Sequence, residues 1–310
     1  MKENVLITGC AGFIGSHSVD DFLRHGYKVT GVDCFTYAAK ESNISHNYDN
    51  KNFNMYKSDI CDTDDIFKIC KENSISTIIN FAAETHVDNS IDSCDSFIRS
   101  NIVGVKSLLD VCRSAGVFLL HISTDEVYGS TIEGSFSEDS NLSPQNPYSA
   151  TKAAAEHLIR SYSNTYCIEY NIIRPSNNFG PRQHSEKFIP TILRSISESK
   201  KIPIYGNGEN IRDWLYVKEN VRAIRYIFEN ASKNDTFNIT AKTEMKNIDL
   251  VKNILEKSGM SFSDCVSFVE DRKGHDFRYS ITNNKLVNLG FKFNNDKFEE
   301  YLVETIKSRG

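Results

Sequence analysis

Residues 121–130 read His-Ile-Ser-Thr-Asp-Glu-Val-Tyr-Gly-Ser and set Thr124, Asp125 and Glu126 in a row; Tyr148 and Lys152 follow across a polar stretch. Together they supply a hydroxyl, two carboxylates, a phenol and an amine. Tyr148 and Lys152 are one helical turn apart and share a face. An ammonium there favours phenolate and lowers the tyrosine pKa toward that of a usable base. That inventory suits a reaction that moves a hydride together with protons. A Tyr-x-x-x-Lys pair alone denotes only a broad redox class. Asp125 and Glu126 narrow the chemistry to an elimination, because two adjacent carboxylates with opposite protonation states can act as acid and base. The plainer alternative is a strand end whose two acids face water.

A second constellation opens the chain. Thr8-Gly-Cys-Ala-Gly-Phe-Ile-Gly15 follows an apolar run and begins a helical pattern, with Gly9, Gly12 and Gly15 spaced three apart. Glycine permits a tight turn, lets the backbone approach a pyrophosphate, and lets helix and strand pack closely. The helix start adds free N–H donors and a positive dipole end. Asp33 lies eighteen residues past Gly15, where a carboxylate accepts both adenosine ribose hydroxyls and repels a 2′-phosphate, favouring NAD over NADP. Asp59 and Ile60 are expected beside the adenine, and Phe81, Ala82 and Ala83 at a strand end that lets the cofactor pass. As alternatives, Asp59 caps a turn and the alanines are packing.

These groups need a scaffold that brings distant segments to one edge. Apolar runs at 5–7, 29–32, 53–56, 78–81, 117–122 and 168–173 read as strands, with helical patterns between them at 14–24, 64–71, 97–113 and 148–162. Such alternation implies βαβ units, a parallel sheet covered on both faces, and right-handed crossovers. Residues 37–52 and 129–147 read as loops. Past residue 175 prolines and glycines loosen the pattern. Helices are expected at 187–197, 218–230, 247–257 and 296–308, and short strands at 202–205 and 236–239. The expected fold class is α/β: a doubly wound parallel sheet of the Rossmann type over 1–175, then a smaller mixed α/β substrate domain over 176–310. That boundary is soft, and some later segments are expected to return to the first domain.

Length and composition bound the rest. The chain has 310 residues, 39% hydrophobic and 25% charged, an ordinary profile for one large domain or two fused ones. A net charge of −5 provides no basic field for a nucleic acid. No apolar run approaches bilayer length, and the chain enters its first strand within a few residues. The eight cysteines form no Cys-x-x-Cys pair and no zinc-spaced cluster with histidine, so they read as reduced, mostly buried small side chains, with no metal site. A cytoplasmic location is the expectation.

The motifs, in order, resemble the nucleotide-sugar 4,6-dehydratases of the extended short-chain dehydrogenase/reductase family. Those carrying the resemblance are residues 8–15, 33–37, 82–88, 123–129, 146–153, 174–181, 186–190, 205–208, 212–217 and 271–279. The resemblance spans residues 4 to about 280, and Thr124-Asp125-Glu126 is its specific part. Related sugar epimerases carry small residues at the two acids, and related decarboxylases lack the Asp. It implies a nucleotide-diphosphate hexose as substrate, dTDP-glucose ahead of UDP-glucose or UDP-GlcNAc, and a homodimer. Tyr148 would take the C4 hydroxyl proton as the hydride leaves for NAD, and Thr124 would bind the C4 oxygen. Glu126 would remove the C5 proton, and a protonated Asp125 would assist loss of the C6 hydroxyl. The resemblance also puts Phe13, Ile14, Thr36, Ser100 and Asn178 on the cofactor, with Tyr148 and Lys152. It puts Thr85, His86, Asn177, Lys187, Phe188, Pro203, Tyr205, Arg212, Asn238, Arg272 and His275 on the substrate. Trp214 reads as core. Two departures bear on the pocket mouth: a shorter stretch between Glu126 and Tyr148, and Asn89 where the family commonly has Arg.

Overall fold

The computed structural model describes residues 2–271 and 276–308. Its main sheet has seven strands: β1 (Asn4–Thr8), β2 (Lys28–Asp33), β3 (Phe53–Lys57), β4 (Thr77–Asn80), β5 (Phe118–Ile122), β6 (Tyr170–Pro175) and, from late in the chain, Asp235–Ile239. Every pairing in it is parallel. The inner strands are largely apolar because both faces are covered, whereas the edge strand β3 carries exposed Asn54 and Lys57. Successive side chains alternate between faces. Val5, Ile7, Ile79, Leu120 and Ile173 meet the helices Phe13–Arg24 and Val217–Asn230. Leu6, Ile78, Leu119 and Ile172 meet the helices Thr63–Glu72, Val105–Ala115 and Pro147–Tyr166.

The later strands are β7 (Asn177–Phe179), β8 (Ile202–Tyr205), β9 (Ile211–Tyr216), β10 (Asp235–Ile239), β11 (Glu244–Lys246) and β12 (Val266–Val269). The main sheet runs β10-β6-β5-β4-β1-β2-β3, so the order reverses between β1 and β4. A crevice opens beyond the carboxyl ends of the strands at such a reversal. A three-stranded sheet β11-β9-β7 and a two-stranded β12-β8 pair form a cap with its own core around Phe179, Ile192, Trp214, Leu250 and Ile254.

All six early strands and the four early helices lie where the sequence pattern predicts. Two differences stand out. Residues 98–104 form a π-helical segment rather than continuous α-helix. There Asn101 turns inward and bonds both backbone groups of Glu84, at 2.9 and 3.0 Å, and Thr151 Oγ1 at 3.0 Å. Past residue 176 the chain comes back to the main sheet, where β10 pairs along β6 and covers an edge that would otherwise expose unpaired backbone groups. Finally, only Cys10, Cys70 and Cys112 are buried, which corrects the expectation that most cysteines are; Cys167 is exposed and ends a helix with φ +58°.

Candidate active site

The glycine loop closes on itself. Gly9 has φ +65°, and a Cβ there would stand 2.8 Å from Ala82 N. A Cβ on Gly15 would stand 2.1 Å from the Gly9 carbonyl oxygen, so only hydrogen fits. Gly12 caps the Phe13–Arg24 helix with no side-chain bond and no acid in the first turn. Its N-terminal dipole end is therefore not neutralised by a first-turn carboxylate, as an incoming pyrophosphate requires. Asp33, at the end of β2, accepts Ala11 N at 2.9 Å and Phe35 N at 2.8 Å. Each carboxylate oxygen keeps capacity for a ribose hydroxyl. Thr8, Asn80 and His121 join the ends of β1, β4 and β5 by bonds of 2.6 and 3.1 Å. Ile60 is buried; Phe81, Ala82 and Ala83 are half-buried where β4 ends; Phe13, Ile14 and Ser100 are half-buried, and Thr36 is exposed. Asp59 is engaged, taking Arg99 Nη1 at 2.7 Å and Cys61 N at 2.9 Å. These donors hold its carboxyl below the ordinary range against the effect of burial.

The reactive groups meet beside this loop. Just past β5 the chain turns through Asp125–Tyr128, and Thr124 caps the turn by accepting Glu126 N at 3.3 Å. The Pro147–Tyr166 helix begins with a capping box between Asn146 and Ser149. Asn146 also donates to Glu126 Oε2 at 3.3 Å, so the helix cap touches the turn. Thr124 hydrogen-bonds the Tyr148 phenol and donates to Asp125 Oδ1 at 3.3 Å.

Asp125 is 2% exposed and its second oxygen has no partner. Burial pushes its carboxyl well above the usual range, and the neighbouring charges of Glu126 and Asp213 add to this. Glu126 is only half-buried and is met by Asn146 and, at 3.5 Å, by Tyr279 OH. The two acids thus occupy unlike environments, one suited to holding a proton and the other supplied with donors.

Lys152 corrects part of the sequence expectation. Its Nζ donates to Ile122 O at 2.6 Å, and burial lowers its pKa to about 8. The Tyr148 phenol is pushed upward, first by burial and then by the charge of Glu126, while the Thr124 bond works the other way. In this protein alone the ammonium does not set the phenol.

The sequence model of the GDP-mannose 4,6 dehydratase family matches residues 6–305. The chain belongs to that family. It is 41% identical over 291 residues to the low-salt glycan biosynthesis protein Agl12 of Haloferax volcanii, covering 93% of each chain. It is 39% identical over 312 residues to a dTDP-glucose 4,6-dehydratase of Streptomyces niveus, covering 98% of this chain and 91% of the relative. A dTDP-glucose 4,6-dehydratase structure from Streptomyces venezuelae, solved with NAD bound, superposes with a TM-score of 0.95 at 35% identity. That match covers 98% of this chain and 96% of the other.

In this 4,6-dehydratase family member, the residues that the sequence suggests for the substrate stand mostly in and around the cap. Lys187 Nζ reaches Thr85 O at 2.8 Å, tying the segment after β7 to the exposed Thr85. His86 caps a short helix through Asn89 N and stands 4.0 Å from Glu186. Asn177 has a buried side-chain oxygen with no partner. Asn178 is held by Ser176 O and Asn220, at 2.9 and 2.8 Å. Phe188 stacks on buried Trp214 at 6.2 Å, and Pro203 and the partly exposed Tyr205 lie on β8. Arg212 lies over the Tyr279 ring at 4.5 Å and donates to the carbonyls of Asp276, Ile211 and Phe277. Its neighbour Asp213 is held by Thr240 and Thr243 instead.

Asn238 must be corrected. It is fully buried on β10, with its side chain bonded to Tyr128 OH and Phe136 O, and is a core residue rather than a substrate ligand. Arg272 and His275 lie outside the described residues. The sequence reading missed Asn101, Asn146, Tyr279 and Asn247. Asn146 and Tyr279 stand inside motifs that carried the resemblance, so membership of those motifs was available as a signal. Asn247, just past β11 and bonded through its backbone to Asn210, has a buried amide oxygen without a partner. Nothing local in the sequence marks Asn101 or Asn247.

Proposed function

We propose that this protein is an NAD-dependent nucleotide-sugar 4,6-dehydratase and that dTDP-glucose is its substrate. The observation that carries the reading is the pair of unlike acids, buried Asp125 and better-solvated Glu126, on a turn whose Thr124 bonds the Tyr148 phenol. The glycine loop, the uncapped helix start and Asp33 fit NAD, which when bound takes a hydride from C4 of the sugar and returns it to C6.

The chain's own groups handle protons and orientation. Thr124 binds the C4 oxygen and Tyr148 accepts the C4 hydroxyl proton. The resulting ketone acidifies the C5 hydrogen, which Glu126 removes. Asp125, kept protonated by burial, gives its proton to the departing C6 hydroxyl, and water leaves. Glu126 then returns its proton to C5 as C6 receives hydride. The sum is loss of one water, the product is a 4-keto-6-deoxy sugar nucleotide, the cofactor ends as it began, and release of the proton taken by Tyr148 balances the proton that Asp125 takes up again from solvent. Lys187, Arg212, Asn177 and Asn247 supply cationic and amide groups for the diphosphate and nucleotide.

A 4-epimerase needs the oxidising half alone and has no use for a buried proton donor at position 125. The test is parallel incubation with dTDP-glucose, UDP-glucose, CDP-glucose and UDP-GlcNAc, read by mass. Loss of one water from the dTDP sugar is expected. Asp125→Asn should keep C4 oxidation and lose elimination by about a hundredfold or more. Epimerised sugar of unchanged mass would replace this reading with the other.

A homodimer and a cytoplasmic location belong to the same proposal. Ile91, Ile98 and Val103 are 44%, 42% and 47% exposed along one stretch, which supports burial against a second copy.

A further inference from the structure

Tyr128 ends the turn that carries Asp125 and Glu126, and its side chain is 1% exposed. Its phenol oxygen accepts from Arg174 Nη1 and donates to Asn238 Oδ1 at 2.8 Å. Arg174, on β6, directs Nε to both oxygens of Glu156, at 2.9 and 3.2 Å, and Nη2 completes the fork. Both partners are essentially removed from water, at 1% and 0% side-chain exposure. Glu156 stands on the Pro147–Tyr166 helix, one turn beyond Lys152 and two beyond Tyr148. Arg174 also reaches Glu138 O, and Glu138 accepts the backbone N–H of Asn238. One buried network thus joins the turn with the two acids to the helix with the phenol, through β6 and β10.

None of these side chains is placed where substrate or cofactor reaches it. A buried ion pair is also a poor stabiliser compared with apolar packing of the same volume. What it adds is direction, because forked bonds hold two elements at one setting where apolar contact tolerates sliding. The reading above makes that setting matter, since oxidation acts at C4 and elimination across the next two carbons of one bound sugar. Reactive groups must be held to within about 0.5 Å for such work.

We propose that Tyr128, through Arg174 and Glu156, is a positioning residue that registers the elimination turn against the oxidation helix. The proposal rests on the dehydratase reading. Its test is Tyr128→Phe, mixed with dTDP-glucose in a single turnover. C4 oxidation is read from the near-ultraviolet absorbance of reduced nicotinamide, and elimination from product mass and solvent deuterium entering C5. Oxidation is expected to stay within about twofold of wild type while elimination falls by about tenfold to a hundredfold, as for a misplacement approaching 1 Å. Reduced nicotinamide then persists where wild type discharges it. Should Tyr128→Phe not fold, Asn238→Ser removes the phenol's acceptor and is expected to give the same split. Equal loss of both steps, or no loss, beside an active wild type overturns the role of Tyr128 alone. Failure of both variants to fold also overturns it, because the network would then hold the fold rather than the register. An inactive wild type counts against the dehydratase reading itself, and the proposal falls with it.

Discussion

At the scale of single residues, the site separates groups by how much water each keeps. Asp125 and Glu126 are chemically near-identical neighbours, yet one is enclosed and the other reaches Asn146 and Tyr279. Their types and adjacency were legible in the sequence, and the family resemblance implied a protonated Asp125; the physical cause was not legible, because it depends on groups from β9 and the helix cap. Lys152 gives a testable consequence. Its pKa of about 8 in the fold lies below the ordinary lysine value of 10.5. Between those values the unfolded chain holds the proton and the fold does not, so this residue's contribution to stability rises with pH across that window. Below pH 8 the buried ammonium costs the fold about 3 kcal/mol. Removing the bond to Ile122 O gives back about 1 kcal/mol. Lys152→Met should therefore be about 2 kcal/mol more stable than wild type at pH 7, with the gain shrinking from pH 8 to 10.5, and should lose turnover. Urea midpoints measured across that range check it, and a gain independent of pH would contradict the burial argument.

At the scale of elements, local chemistry and long-range packing divide the work. The loop from Thr8 to Gly15 is legible because its glycines are demanded by close backbone approach, as the 2.1 Å meeting at Gly15 shows. Gly15→Ala should force the loop open. Cofactor released from the denatured protein is expected to fall below about a tenth of wild type, with a lowered Tm. Full cofactor content would show that the loop yields at little cost. The inner strands of the main sheet are legible because they are largely apolar on both faces. Of the cap strands only β8 is: β7 and β11 are three residues long, and β9 mixes Arg212 and Asp213 with Trp214 and Leu215. Such strands take their identity from neighbours, and short mixed runs carry no period. The π-helical segment is equally silent, since it exists to turn Asn101 toward Glu84.

At the scale of the whole molecule, the active centre is assembled from both ends of the chain. Residues of the first sheet strands, the turn past β5 and the Pro147–Tyr166 helix meet Arg212 and Tyr279 from the cap. The exposed apolar stretch of residues 91–103 belongs to this scale too. Replacing Ile98 and Val103 by Glu should convert a dimer to a monomer with the site geometry unchanged, as light scattering at micromolar concentration would show. A wild-type mass of one chain would remove the dimer. The sequence by itself determined the fold class and the glycine loop and singled out the candidate reactive groups, because these rest on residue type, period and short spacing. Only the tertiary structure decided that Asn238 is core and that Asn247 has an amide oxygen left over. It also decided that Lys152 faces a carbonyl and that Asp125 is the buried acid. Each of these depends on which distant side chains remove water or supply a bond, and no local pattern encodes that.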